Sequence, residues 1–305
     1  MSPTEYTVLV ARFERVTGSR LIKLFAPALL DQAMLPAISA ALEDTGRLAH
    51  APWQRAIATA ASAQIMTAGH PGDRLLESQR LLRLHRDIRG VGPTGFRYSA
   101  FAPQAWHWVL ISTFRMQLAA YTALTGHHPD AREEQALWQH YRVKTAGLDL
   151  PGRAALADRY EEIAAHYERM IGESLARTPT LDTATDTLLR AAPRPPLLPA
   201  AAEPAWRLLR PVVGQLAATL GLSIMHPQVR ALVPMTWTRY HQVSAEVLIL
   251  VLRCSFRLLP AAVTDAPLSR NRRRYRALIS RYRHQTTTGS PDQQSPHQTR
   301  NGAPI

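Results

Sequence analysis

Residues 80–90 read Arg80-Leu-Leu-Arg-Leu-His-Arg-Asp-Ile-Arg-Gly90, and the chain continues through Tyr98-Ser99-Ala100 to a long apolar stretch carrying His107, Trp108 and Val109. Leu81, Leu84, His85 and Ile88 recur at helical spacing, and a glycine after the last periodic residue is a common helix stop. Arg89 stands at i+4 from His85, so on one helix the two would point the same way. Arg80, Arg83, Arg86 and Arg89 come every third residue, drift around such a helix and cannot all share a face. The loop Gly90–Gly95 is glycine-rich but lacks the Lys-Ser/Thr pair and the preceding strand of a phosphate cradle. Pro103 fits the first turn of a further helix, reaching about Leu124, on which Leu110, Ile111, Phe114, Leu118 and Tyr121 share an apolar face with His107.

Outward from this centre the pattern stays helical. Leu21–Leu42 reads as helix interrupted at Pro27 and Pro36. Trp53, Ile57, Ala60, Ala61 and Ile65 give a second helical stripe, and Asp73–Arg89 a third with Asp73 as N-cap. Arg132–Ala146 and Gly152–Arg177 follow, then Trp206–Leu222 and Thr236–Leu259. The expected fold is mainly α, one multi-helix domain over residues 21–283, after an N-terminal lead of residues 1–20. A proline-rich break at residues 191–204 (Pro193, Pro195, Pro196, Pro199, Pro204) precedes the C-terminal helices. Residues 284–305 are Gln-, Thr-, Ser- and Pro-rich and are expected to be a disordered tail.

Composition bounds the function classes. Hydrophobic residues make up 46% of 305 residues and charged ones 19%, enough for a sizeable core. The single cysteine, Cys254, excludes an intramolecular disulfide and a cysteine metal cage, and its apolar setting reads as a buried, inert thiol. More than half of the net charge of +13 falls from Arg270 onward, where eight arginines meet one aspartate. Arg270–Arg283 is therefore the candidate contact for an anionic surface, while nucleic acid is disfavoured as a partner. The first residues do not read as a signal peptide and the longest apolar run contains Glu246, so the expected location is cytoplasmic, with peripheral membrane contact left open. Gly-x-Ser-x-Gly and dinucleotide fingerprints are absent from the sequence.

Two histidines carry the candidate chemistry. His85 and His107 each lie on an apolar stripe, and each has two readings: a packed ring with one nitrogen on a backbone carbonyl, or a nitrogen ligand. A histidine beside arginines suits a porphyrin, the imidazole meeting iron and the guanidiniums meeting propionates. His127, His128, His140 and His166 are scattered and lack zinc-helix spacing.

Leu84-His85, Ile88-Arg89-Gly90, Tyr98-Ser99-Ala100, Trp108-Val109 and Ala120-Tyr121 together resemble the core of the MpaB-type oxygenase family, which includes rubber oxygenases. Weaker similarity covers Gln32–Pro36, Pro227, Arg230, Pro260 and the block Ala266–Tyr275, so the resemblance spans roughly Leu21 to Arg283. It implies haem b, dioxygen, and oxygenation or cleavage of a carbon–carbon double bond in an apolar, isoprenoid-like substrate. The chain departs from the family at two places. Leu110 stands where relatives carry His after Trp-Val, and Leu35 stands where they carry the His of Ala-His-Pro. Leucine cannot ligate iron. His107, nearly one turn before position 110, is the first candidate for the axial metal ligand and His85 the second. Arg89, Arg80 and Arg83 are the propionate candidates, and Tyr98 is a donor to a bound ligand or a closure for the loop. The alternative is a non-catalytic, haem-free relative that binds an apolar ligand or a protein partner.

Overall fold

The computed structural model describes residues 1–46, 52–92 and 95–288. The chain opens with α1 (Pro3–Thr17), a 3₁₀ run (Leu21–Met34), α2 (Pro36–Thr45), α3 (Pro52–Ala68) and α4 (Pro71–Arg86). A short antiparallel hairpin follows, β1 (Arg89–Val91) against β2 (Arg97–Ser99), with Gly90 opposite Tyr98. Then come α5 (Pro103–Thr125), α6 (Ala131–Thr145), α7 (Tyr160–Glu173), α8 (Pro179–Asp186), α9 (Glu203–Ser223), α10 (Pro227–Leu232), α11 (Arg239–Leu258), α12 (Ala261–Thr264) and α13 (Pro267–Thr288). The fold is mainly α, as the periodicity indicates.

Helix starts follow local chemistry. Ser2 accepts from the Glu5 backbone N–H while Glu5 accepts from that of Ser2 at 2.6 Å, closing a capping box on α1. Asp130 and Glu133 do the same for α6. Pro103 enters α5 in its first turn, and Gly126, at φ 73°, ends it in the left-handed region.

α5 runs through the middle of the core. Trp108, Ile111, Phe114, Tyr121 and Leu124 are fully buried along it. Phe114 meets Trp138 of α6 at 5.0 Å, Tyr141 at 5.2 Å and Tyr160 of α7 at 5.7 Å between ring centroids. Phe13 of α1 lies 5.8 Å from Tyr121 and 6.3 Å from Phe114. Truncating any one of these rings to alanine would cost about 3–5 kcal/mol.

Several local readings shift in the structure. The lead of residues 1–20 contains α1, whose Leu9, Phe13 and Val16 join the core. The cap of α4 is His70, three residues before Asp73, because Pro71 takes the first helical position and Asp73 reaches back to the His70 N–H at 3.1 Å. The same helix ends at Arg86, so Arg89 sits in β1 rather than one turn beyond His85. Tyr98 explains the hairpin: a Cβ at Gly90 would stand 2.6 Å from its hydroxyl, so only glycine lets the strands close over the ring. The tyrosine hydroxyl donates to Asp44 at 2.6 Å, which closes the loop onto α2. The helix expected from Gly152 begins only at Tyr160. Within the proline-rich segment, Trp206 ties the start of α9 back to the Ala192 carbonyl at 2.9 Å. Cys254 is exposed, not buried, because Ala245, Leu248, Leu252 and Phe256 take the inner face of α11. The tail expected from residue 284 is helical through Thr288, and residues 289–305 lie outside the described residues.

Among the described residues no single helix is long and apolar enough to cross a membrane; the 3₁₀ run and α2 together meet the length and composition, but bend by 103°. The 3₁₀ run is far longer than the three or four residues usual for that geometry. Its Asp31 is fully buried, and one carboxyl oxygen has no hydrogen-bond partner. Loss of hydration pushes this carboxyl up to about 8, with the Gln32 backbone N–H opposing weakly.

Asp31 should make stability fall with pH. The unfolded chain gives up this proton near pH 4 and the folded protein only near pH 8, so unfolding is favoured progressively across that window. The loss is on the order of 5 kcal/mol between the two limits. Asp31→Asn removes the titration: chemical denaturation should show near-equal stability below pH 4 and a growing advantage for the variant toward pH 8. Parallel pH profiles for the two proteins would contradict a neutral Asp31.

Candidate functional site

The N-terminal end of α5 gathers the candidate chemistry. Trp106 donates from its indole to the Leu148 carbonyl at 2.7 Å, fixing the ring across the end of α6 and the loop beyond. His85 meets the edge of Trp106 with centroids 5.5 Å apart, and Phe101 meets it at 5.4 Å. His85 Nδ1 lies 2.8 Å from the Leu81 carbonyl, one turn earlier on α4. This geometry defines the tautomer with Nδ1 protonated.

His107 follows Trp106 and is half-buried. Burial pushes its imidazole below the ordinary range and Arg142 adds to this, while the Ala154 backbone and Asp149 oppose. His166 of α7 shifts the same way through burial, with contributions from Arg169 and from His107 itself. The two imidazoles, fifty-nine residues apart in sequence, thus feel each other electrostatically in the fold. The Nε2 atom of His166 is buried and without a hydrogen-bond partner. A buried polar atom left unmatched would be stabilised by a further hydrogen-bonding or ligating group.

The other candidates are placed as follows. Arg80 is exposed and held by Glu77 through two bonds of 2.6 and 2.8 Å; the Glu77 carboxylate is buried and drawn below its ordinary range first by Arg80. Arg83 and Arg89 are exposed, on α4 and β1. Tyr98 is buried, and its bond to Asp44 pushes the hydroxyl up to about 12. Leu110 and Leu35 are buried in the core; the Leu110 carbonyl accepts from Tyr141 at 3.0 Å.

Sequence reasoning passed over a second polar group, deeper in the core. Trp108 donates to the Asp31 carbonyl at 3.2 Å and stacks on Tyr167, 5.4 Å away and inclined by 18°. The Arg115 guanidinium lies 4.8 Å over the Tyr167 ring and donates to the Tyr160 hydroxyl. Gln32 sends its amide to Ser112 at 3.0 Å and Thr113 at 3.3 Å. The signal for Asp31 was present: it is the only acid in the apolar run Leu21–Met34. His166 gave none, since its neighbour is set by tertiary packing alone.

A cleft of about 660 Å³ opens elsewhere, lined by Arg177, Arg230, Val233, Met235 and Trp237, with Arg230 4.4 Å over the Trp237 ring. None of the six sequence candidates lines it. Among the described residues no three His, Cys, Asp or Glu side chains converge as a metal cage.

Comparison with known proteins places this geometry in a family. Residues 15–254 match the family described as ER-bound oxygenase mpaB/B'/rubber oxygenase, catalytic domain. The chain is 27% identical over 221 residues to the uncharacterized protein Rv2237 of Mycobacterium tuberculosis, covering 71% of this chain and 80% of the relative. It has the same similarity to the uncharacterized protein Mb2261 of Mycobacterium bovis. No solved structure matches. With most of its length matched, the chain belongs to the MpaB/rubber oxygenase catalytic-domain family.

Proposed function

We propose that this protein is a haem b-dependent oxygenase that oxygenates or cleaves an apolar, isoprenoid-like substrate, with its axial nitrogen supplied by His107 rather than from position 110. One observation carries this reading: burial makes both His107 and His166 harder to protonate, and the buried His166 Nε2 has no hydrogen-bond partner. The neutral imidazole, with a lone pair available, is the form that ligates iron. Leu110 has no donor atom for that role, whereas His107, nearly one turn earlier on α5, carries one. His85, against the Trp106 ring, is the second candidate for the ligand. Arg83 and Arg89, with Arg80 beyond its ion pair to Glu77, are the proposed partners for the propionates, as charged forks matching carboxylates. Bound haem b would supply the iron at which dioxygen is activated. The chain contributes the nitrogen, the guanidiniums and the apolar surface of Phe101 and Trp106.

The proposed setting is cytoplasmic. Exposed arginines of α13 would meet an anionic surface, although Arg273 is committed to Asp265 and Arg276 lies 3.7 Å from Glu14. Salt-sensitive retention on a polyanion column checks this contact.

A second reading is a haem-free relative that binds an apolar ligand or a partner. The burial of leucine at both positions where relatives carry histidine favours it.

Reconstitution with hemin followed by gel filtration separates the two. The first reading expects a Soret band travelling with the protein at one haem per chain; protein that emerges haem-free sends the assignment to the second. His107→Ala should abolish the native haem spectrum while His85→Ala only weakens retention, with circular dichroism confirming the fold in both. The reverse ranking would move the ligand to His85.

Leu110→His gives an independent check on the pocket. A buried, unpartnered imidazole costs roughly 1–3 kcal/mol. The apo variant should therefore melt earlier than the parent and recover on hemin addition, retaining haem more tightly. A folded variant with no gain in haem affinity would show that position 110 no longer faces a haem site.

A further inference from the structure

The outer faces of α9 and α11 form an apolar surface that none of the described residues covers. On α11, Tyr240, Val243, Val247, Leu250, Val251 and Leu258 are exposed, the last by 82%. On α9, Leu208 is exposed by 81%, and Leu209, Val212, Val213 and Leu216 lie open beside it in sequence. The two helices pack on each other, joined by Gln215 Nε2 to His241 Nε2 at 2.7 Å, so the two stripes lie on adjacent helices.

The pattern on α11 is ordered. Tyr240, Val243, Val247, Leu250 and Cys254 follow one another at steps of three and four, the spacing of a helix seam that receives a partner helix. Its opposite face, through Ala245, Leu248, Ile249, Leu252 and Phe256, already packs into the core. A helix apolar on both sides is one that is buried on both sides. Charge is sparse where the surface is most apolar. Of Asp, Glu, Lys and Arg, only Glu246 falls between Tyr240 and Leu252, and Pro211–Ser223 has none; Arg207 and Arg210 stand beside Leu208 and Leu209, and Arg239, Arg253 and Arg257 lie toward the ends of α11. An uncharged centre with tyrosine and a rim of arginine is the composition of a protein–protein interface.

Area points to the same occupant. The eleven exposed side chains present on the order of 1,000 Å², above the few hundred usual for the largest patch on a monomer and enough for the roughly 800 Å² per partner of a stable dimer.

We infer that the α9–α11 face is the interface of a symmetric homodimer, each copy placing its α11 seam against its partner's. The same patch then serves both subunits, as a two-fold axis requires.

Sedimentation velocity of the full chain at micromolar to submillimolar concentration is the test. The expected result is a dimer that the double variant Val247→Arg/Leu250→Arg converts to a monomer with an unchanged circular dichroism spectrum. Cys254, the sole thiol, lies on the seam and reports the location: its maleimide labelling should slow several-fold as the dimer fills, and stay fast at all concentrations in the double variant. A wild-type chain that remains monomeric overturns the inference. If that monomer co-sediments with phosphatidylserine-containing vesicles and the double variant does not, the face is a membrane contact instead. A dimer with concentration-independent Cys254 labelling places the interface elsewhere and also overturns it.

Discussion

The hydrogen bond from the Trp108 indole to the Asp31 carbonyl, 3.2 Å long, holds the central helix to the 3₁₀ run. It satisfies a buried donor and a buried acceptor together, and leaving either unmatched would cost about 1–3 kcal/mol. With that register set, Gln32 falls opposite Ser112 and Thr113, and Met34 enters the core. The same register leaves the Asp31 side chain where water does not reach, so the carboxyl stays protonated. Tyr167 stacks on Trp108, which fixes α7, the helix that carries His166, against α5.

Much of the fold was legible because helical periodicity is a local property. The apolar stripe on α5, its Pro103 start and its Gly126 stop need only neighbouring residues to be read. The misread pieces were those where a distant partner decides. Ile88-Arg89-Gly90 continues a helical pattern, yet the need to seat Tyr98 beneath Gly90 turns it into a strand. Tyr98 also commits its hydroxyl to Asp44, which is fifty-four residues away in sequence and shows no spacing signal. Arg80 and Glu77 were one turn apart and could have been paired from sequence, because an i, i+3 carboxylate is a ready partner.

Cys254 and the stripe around it show a different limit. Periodicity states that a helix has apolar faces; it does not state which face meets the chain's own core. On α11 both sides qualify, and packing against α5 and α9 selected one of them. Placing Cys254 in the core was a choice between two equally apolar faces.

Position 110 separates fold from chemistry within this family. A leucine there fills volume beside Ile111 and Phe114 and has no polar atom to satisfy, so packing gains what ligation loses. The helix, its backbone bond to Tyr141 and the surrounding rings make no demand for a histidine. Packing at this position of the chain is therefore indifferent to iron, and the half-buried His107 stands nearly one turn earlier on the same helix. Burial has lowered the affinity of His107 and His166 for protons without supplying a partner for every ring nitrogen. Leu110 asks for no partner, whereas the buried His166 Nε2 of α7 lacks one.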